Sequence, residues 1–251
     1  MKNIFSLFLV CIFFQTSLGQ NYSLELNGIS ENETKIIDSL HYQKAFSKLE
    51  DIEKEVKIIL EKLQKKGFLE SEIVKNTKPN DSTFLYEYSL GKKTNFIHIY
   101  IDNDNKELLN ESANDIVLPF ASLEMYMTTA VKKLEQRGYP LAKVFLNDFE
   151  NSKDTLKATL VIATEKKRTI NEVVFNGYEK FPVGFKKNIN RIYRKKLFSK
   201  TISDKIYKEI NTMRFIKQAK YPEVLFTKDS TKVFVYTEKT KANTFDGFIG
   251  F

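Results

Sequence analysis

The stretch VKKLEQRGYP, Val131 to Pro140, has two relatives in the same chain: LEKLQKKGF, Leu60 to Phe68, and MRFIKQAKYP, Met213 to Pro222. Each copy sets two apolar residues three apart (Leu60 and Leu63, Val131 and Leu134, Met213 and Ile216). A basic or amide run follows, then an aromatic residue, Phe68, Tyr139 or Tyr221. Apolar residues at that spacing share a helix face. Gly67 and Gly138 stand where a helix ends in the left-handed conformation that glycine reaches without steric penalty. Lys220 takes that place in the third copy, so the third helix is expected to end differently or under strain.

The surroundings repeat as well. Ile52, Val56, Ile59, Leu60 and Leu63 form one stripe, with Ser47 to Glu50 reading as a capping box at its start. Leu123, Met127, Ala130, Val131 and Leu134 form the second stripe; Ile206, Ile210, Met213 and Ile216 form the third. After each come two β-like runs around a polar turn: 71–76 with 84–90, 143–149 with 155–164, and 223–227 with 231–238. Asn80-Asp81, Asn151-Ser152 and Asp229-Ser230 supply the turn chemistry. Ahead of each stripe lies another strand. Those at 22–28 and 170–177 both close on Asn-Gly (Gly28, Gly177), and 96–101 takes the place between them. A first helix follows in unit one, where Ser30 to Glu33 is a second capping box, and in unit three, with Phe185, Ile189, Ile192 and Tyr193 at helical spacing. In unit two, 102–115 is acidic and Asn-rich and reads mostly as loop. The order is β-α-α-β-β in each of three α+β units, 20–92, 93–167 and 168–241, each near the lower size for a domain with its own core.

Reactive side chains are scarce. The 251 residues hold two histidines, His41 and His98, and one cysteine, Cys11. A Cys/His metal cluster is excluded, and no glycine-rich phosphate loop or Gly-x-Ser-x-Gly elbow occurs. No catalytic, cofactor or metal site is expected. Residues 1–19 pair a basic start with the apolar run Ile4 to Phe14 and the small residues Ser17 and Gly19, which reads as a secretory signal cleaved after Gly19. The other reading, an uncleaved anchor, asks for roughly 20 apolar residues, more than this run supplies. Cleavage removes Cys11, leaving no disulfide. Export argues against nucleic acid as the partner of this basic chain.

The arrangement resembles the POTRA domain, a repeated periplasmic module of BamA/TamA-type outer-membrane assembly proteins. The likeness rests on the strand-closing Gly28 and Gly177, the helix-closing Gly67 and Gly138 with their aromatic followers, and the C-terminal run from Val233 to Phe251. That run is similar to a last POTRA strand passing into the first strand of a membrane barrel, which assigns 242–251 to a barrel strand or tail. Lys220 and the weak first helix of unit two depart from the pattern. The resemblance implies a three-stranded mixed sheet per unit with two helices on one face, strand one pairing with strand three and strand two left at an edge. It also implies a place at the periplasmic face of the outer membrane. The partners implied are unfolded or partly folded outer-membrane or exported polypeptides, together with accessory periplasmic proteins. Such chains would add to the edges by main-chain hydrogen bonds, at Ser71, Ile73 and Lys75, at Lys143, Val144, Phe145 and Leu146, and at Glu223, Leu225 and Thr227. Edges capped or inert are the other reading, and a barrel-free adaptor of the same domains is the alternative function.

Charge is unevenly placed. The formal net charge is +8, yet 168–251 holds 18 Lys and Arg against 8 Asp and Glu, while the two earlier units are slightly acidic. Lys186, Lys187, Arg191, Arg194, Lys195 and Lys196 crowd one helix and its exit. A solvated helix face is one reading; contact with the anionic inner leaflet of the outer membrane is the other.

Overall fold

The computed structural model describes residues 22–240. The expected signal segment and the stretch 242–251 lie outside them. The chain divides after Thr94 into two compact bodies.

The first body runs β1 (Tyr22–Gly28), α1 (Glu31–Asp38), β2 (Ala45–Phe46), α2 (Leu49–Lys65), β3 (Glu72–Thr77) and β4 (Thr83–Ser89). Leu24 and Leu26 alternate inward from β1 and meet Ile52, Val56, Ile59 and Leu63 of α2, all essentially buried. Full burial of each such side chain contributes about 1.5–3 kcal/mol, so this one stripe fixes how the helix lies on the sheet. The Ser30 hydroxyl accepts from Glu33 N and caps α1. The Glu33 carboxylate accepts from Leu90 N, which ties the helix start to the far end of β4. The expected box at Ser47 does not form: Lys48 is the extended N-cap and gives no side-chain bond, and acidic Glu50 and Asp51 in the first turn supply the favourable charge instead. At the other end, Gly67 N donates to Gln64 O and Phe68 N to Leu63 O, with Gly67 at φ +100. These are the paired bonds of a Schellman ending, and they explain the repeated motif, because the aromatic after the glycine folds back over the last helical turn.

The second body begins with β5 (Phe96–Tyr100), α3 (Asn103–Leu109), β6 (Asp115–Pro119), α4 (Leu123–Gln136), β7 (Lys143–Ser152) and β8 (Thr155–Ala163). It continues with β9 (Glu172–Gly177), α5 (Val183–Tyr193), α6 (Lys200–Asn211), β10 (Ile216–Phe226) and β11 (Thr231–Lys239). The segment after Asp102, read as mostly loop, contains the short helix α3. The Asp102 carboxylate caps it by accepting from Asn105 N at 2.7 Å and Asn105 Nδ2 at 2.8 Å. α4 closes like α2, with Gly138 N on Glu135 O, Tyr139 N on Leu134 O and Gly138 at φ +90.

The third copy of the motif is not a helix end. α6 stops at Asn211, where the Thr212 hydroxyl donates to Glu209 O, and Ile216 already belongs to β10. Lys220 and Pro222 sit in a bulged part of that strand, so no left-handed helix terminus arises there.

The sheets are mixed. In the first, β1 pairs parallel with β4 and β3 antiparallel with β4, in the order β2-β1-β4-β3. The second has the order β6-β5-β8-β7 and the third β10-β11-β9. The expected three strands hold only for the third unit. In the other two the link between helices adds an antiparallel strand beside the first. The Asn151-Ser152 turn lies two residues later than expected, with Lys153 at φ +57. Among the described residues no helix is long and apolar enough to cross a membrane.

Candidate binding edges

Each of β3, β7 and β10 lies at the outside of its sheet, paired on one flank only. Bulges interrupt all three, a common device against uncontrolled edge pairing. In β3 the register slips between Ile73 and Lys75, leaving Val74 about half exposed and only Lys75–Thr77 regular. In β10 it slips on both sides of Lys220, and Pro222 has no N–H to offer. β7 holds the longest regular run. Lys143, Val144, Phe145, Leu146 and Asn147 oppose Ala163, Ile162, Val161, Leu160 and Thr159 without a break, and the register shifts only before Glu150. Asp148, at φ +53, marks that break.

Most of the sequence-predicted edge residues fall on these strands. Ile73 and Lys75 lie on β3, the four residues from Lys143 to Leu146 on β7, and Glu223 and Leu225 on β10. Two do not. Ser71 precedes β3 and is buried, its N–H on Phe68 O, because the chain is still closing over the helix end there. Thr227 follows β10 and shapes the hairpin: its N–H donates to Ser230 O and its carbonyl accepts from Arg168 at 2.6 Å. Glu223 is on the edge but engaged, bonded to Lys220 and accepting from the Tyr236 hydroxyl at 2.7 Å. Those contacts, Lys220 first, hold its carboxyl below the usual range, so it stays an anion on the strand surface.

Sequence reasoning missed the short edges β2 and β6. A β-branched pair, Ile116 and Val117, ahead of Pro119 was the available signal for β6. β6 is crossed by one exposed polar contact, His98 Nε2 to Asp115 Oδ1 at 2.9 Å. Beside it, Leu118, Met125, Tyr126, Thr129 and Ala130 line a largely apolar recess of about 290 Å³. Burial raises the Tyr126 hydroxyl to about 12. Among the described residues no group of three His, Cys, Asp or Glu side chains could hold a metal ion.

The structural glycines have separate reasons. Gly28 and Gly177 end the first strands, where a Cβ would fall 2.3 Å from Glu33 Cβ and 2.4 Å from the Thr237 carbonyl oxygen respectively. The basic residues lie on α5 and just past it. Lys186 sits over the Phe181 ring and Lys196 over the Tyr193 ring, while Lys187, Arg191, Arg194 and Lys195 are exposed.

No protein-family model and no curated protein matches the sequence. POTRA domains 3–5 of Haemophilus influenzae BamA match the structure with a TM-score of 0.54 and 14% identity, over 88% of this chain and 97% of theirs. The chain has the fold of a POTRA array. Two further POTRA-containing structures match more loosely. They are Haemophilus ducreyi BamA lacking POTRA domains 1–3 (TM-score 0.41, 15% identity, 57% of this chain and 28% of that one) and POTRA1–3 of Omp85 from Anabaena (0.30, 10%, 88% and 95%). In POTRA terms the three units here keep the β-α-α-β-β order, and two of them add the short strands β2 and β6.

Proposed function

We propose that this POTRA array is the polypeptide-binding region of a factor that assembles or translocates outer-membrane proteins, working from the periplasm. The observation that carries the reading is the regular open edge of β7. From Lys143 to Asn147 its flank away from β8 has no backbone partner among the described residues. Unpaired N–H and C=O groups in register accept an incoming extended chain, and because the bonds are main-chain to main-chain they are nearly indifferent to its sequence. Phe145 and Phe149 are exposed on the same strand, giving apolar contact to a chain that has not yet folded. The likeness to BamA POTRA domains supports that setting, with accessory periplasmic proteins as further partners. The role is binding, with no cofactor.

Site-specific photo-crosslinking tests it. A crosslinker at Phe145 should capture unfolded outer-membrane polypeptides added to the protein, and one at Glu61, exposed on α2, should not. Equal capture at both positions, or none at either, contradicts the reading.

A further inference from the structure

Four cations of the third unit share one surface that no carboxylate among the described residues neutralises. Lys187 and Arg191, at i and i+4, share one face of α5; Arg194 is the C-cap of that helix, and Lys195 follows at φ +68. With Asn190 they line an open concavity of about 400 Å³. Elsewhere in the unit lysines find carboxylates: Lys217 on Glu238, Lys220 on Glu223 and Lys232 on Glu172. The four have no ion pair among the described residues; the Arg191 side chain donates to the amide oxygen of Asn188. Two more cations, Lys186 and Lys196, are held nearby over aromatic rings.

The shape selects among anions. From Lys187 to the C-cap Arg194 the cations extend along roughly 11 Å at the helical rise, too far for one phosphate to meet them together. Exposed apolar side chains flank the charges, Val183 one turn before Lys187 and Leu197 just after Lys196. A row of cations with an exposed apolar group at each end suits a surface of anionic headgroups over acyl chains. We infer that the outer face of α5 docks on an anionic phospholipid surface, its four cations each taking phosphate oxygens. This goes beyond the polypeptide-binding role and does not depend on it.

Flotation of the full chain with vesicles is the test. The protein should float with phosphatidylglycerol vesicles, should not float with phosphatidylcholine vesicles, and should be released by salt, which screens exposed charges. Each basic residue near such a surface is worth about five-fold in affinity. Replacing Lys187, Arg191, Arg194 and Lys195 together by Gln should therefore weaken binding about a hundred-fold or more, with the melting temperature unchanged because all four are exposed. A control with Lys57, Lys66, Lys132 and Lys228 replaced by Gln removes the same net charge and should still float. Three results would overturn the inference: no binding to anionic vesicles, equal loss in both variants, or inorganic phosphate at millimolar level competing fully at constant ionic strength. Capture by polyglutamate with no response to vesicles would assign the face to an acidic polypeptide instead.

Discussion

The side-chain amide of Asn190 makes to Val173 both hydrogen bonds that a neighbouring strand would make. Val173 N donates to Asn190 Oδ1 at 2.8 Å, and Asn190 Nδ2 donates to Val173 O at 2.8 Å. In the first two units the strand equivalent to β9 has β2 or β6 alongside; in the third unit it has this residue of α5. One amide thus pins the helix to the sheet and blocks part of an edge.

Asn190→Ala should therefore destabilise the second body by about 1–3 kcal/mol, the usual range when a half-buried donor and acceptor lose their partner. Asn190→Asp should cost at least as much, since a carboxylate would face the Val173 carbonyl. Denaturant titration reads both, and an unchanged midpoint would mean that water replaces the amide without penalty.

Two glycines with similar dihedrals should differ in tolerance. At Gly138 a Cβ would come within 2.7 Å of Leu197 Cδ2, the movable end of a side chain, so the left-handed φ is the main penalty. Gly138→Ala should cost about 1–2 kcal/mol. At Gly177, φ +93, the obstacle is the Thr237 carbonyl on the paired strand β11. Gly177→Ala should cost about 3 kcal/mol or more, since strain adds to a backbone clash. Melting temperatures of the two variants in the reverse order would contradict this packing.

The second and third repeats are joined within one body. Arg168 N donates to Gly138 O at 2.7 Å, Lys200 N donates to Glu135, and Leu197 lies on Gly138. Arg168 itself is buried, whereas Lys92 and Lys93 are exposed. Brief trypsin treatment should cut at Lys92 and Lys93 before Lys166–Arg168. Earlier cutting at the second junction would show those contacts to be weak.

Tyrosines report on burial at high pH. Burial is the main cause that raises the hydroxyls of Tyr88, Tyr126 and Tyr193, reinforced at Tyr193 by Glu209. A raised folded value means that the stability is fully present below the ordinary tyrosine range, near 10.0. It is lost as pH rises through the raised value, about 12 for Tyr126. Phenolate absorbance should therefore show part of the 12 tyrosines titrating late and together with unfolding. A single transition near the ordinary value with the fold intact would contradict the buried assignments.

The helix faces and the two glycine endings were legible because burial and positive φ each demand a narrow set of residues. The third motif misled because Ile216 continues the i, i+3 spacing of Ile210 and Met213 by coincidence, while the helix ends at Asn211, one residue after the buried Ile210. No glycine signal was there to find, and Lys220 lies at a bulge of the strand β10 rather than at a helix end. β2 is only two residues long, too short for any alternation to show. The Asn190–Val173 pair joins positions far apart in sequence through a polar side chain on a basic helix, and no local pattern marks it. The edges themselves followed from strand order, but Ser71 and Thr227 were misplaced because strand ends are set by neighbouring turns.

The central claim, that β7 receives an extended polypeptide by main-chain pairing, is tested most directly by amide hydrogen exchange with and without an unfolded outer-membrane polypeptide. The outward-facing amides between Lys143 and Asn147 should exchange more slowly when the polypeptide is bound, in an every-second-residue pattern, while those of β8 should not change. Leu146→Pro, which breaks the edge, should abolish the effect. Protection absent from β7, or spread over the helix α4 rather than the edge, would contradict the account.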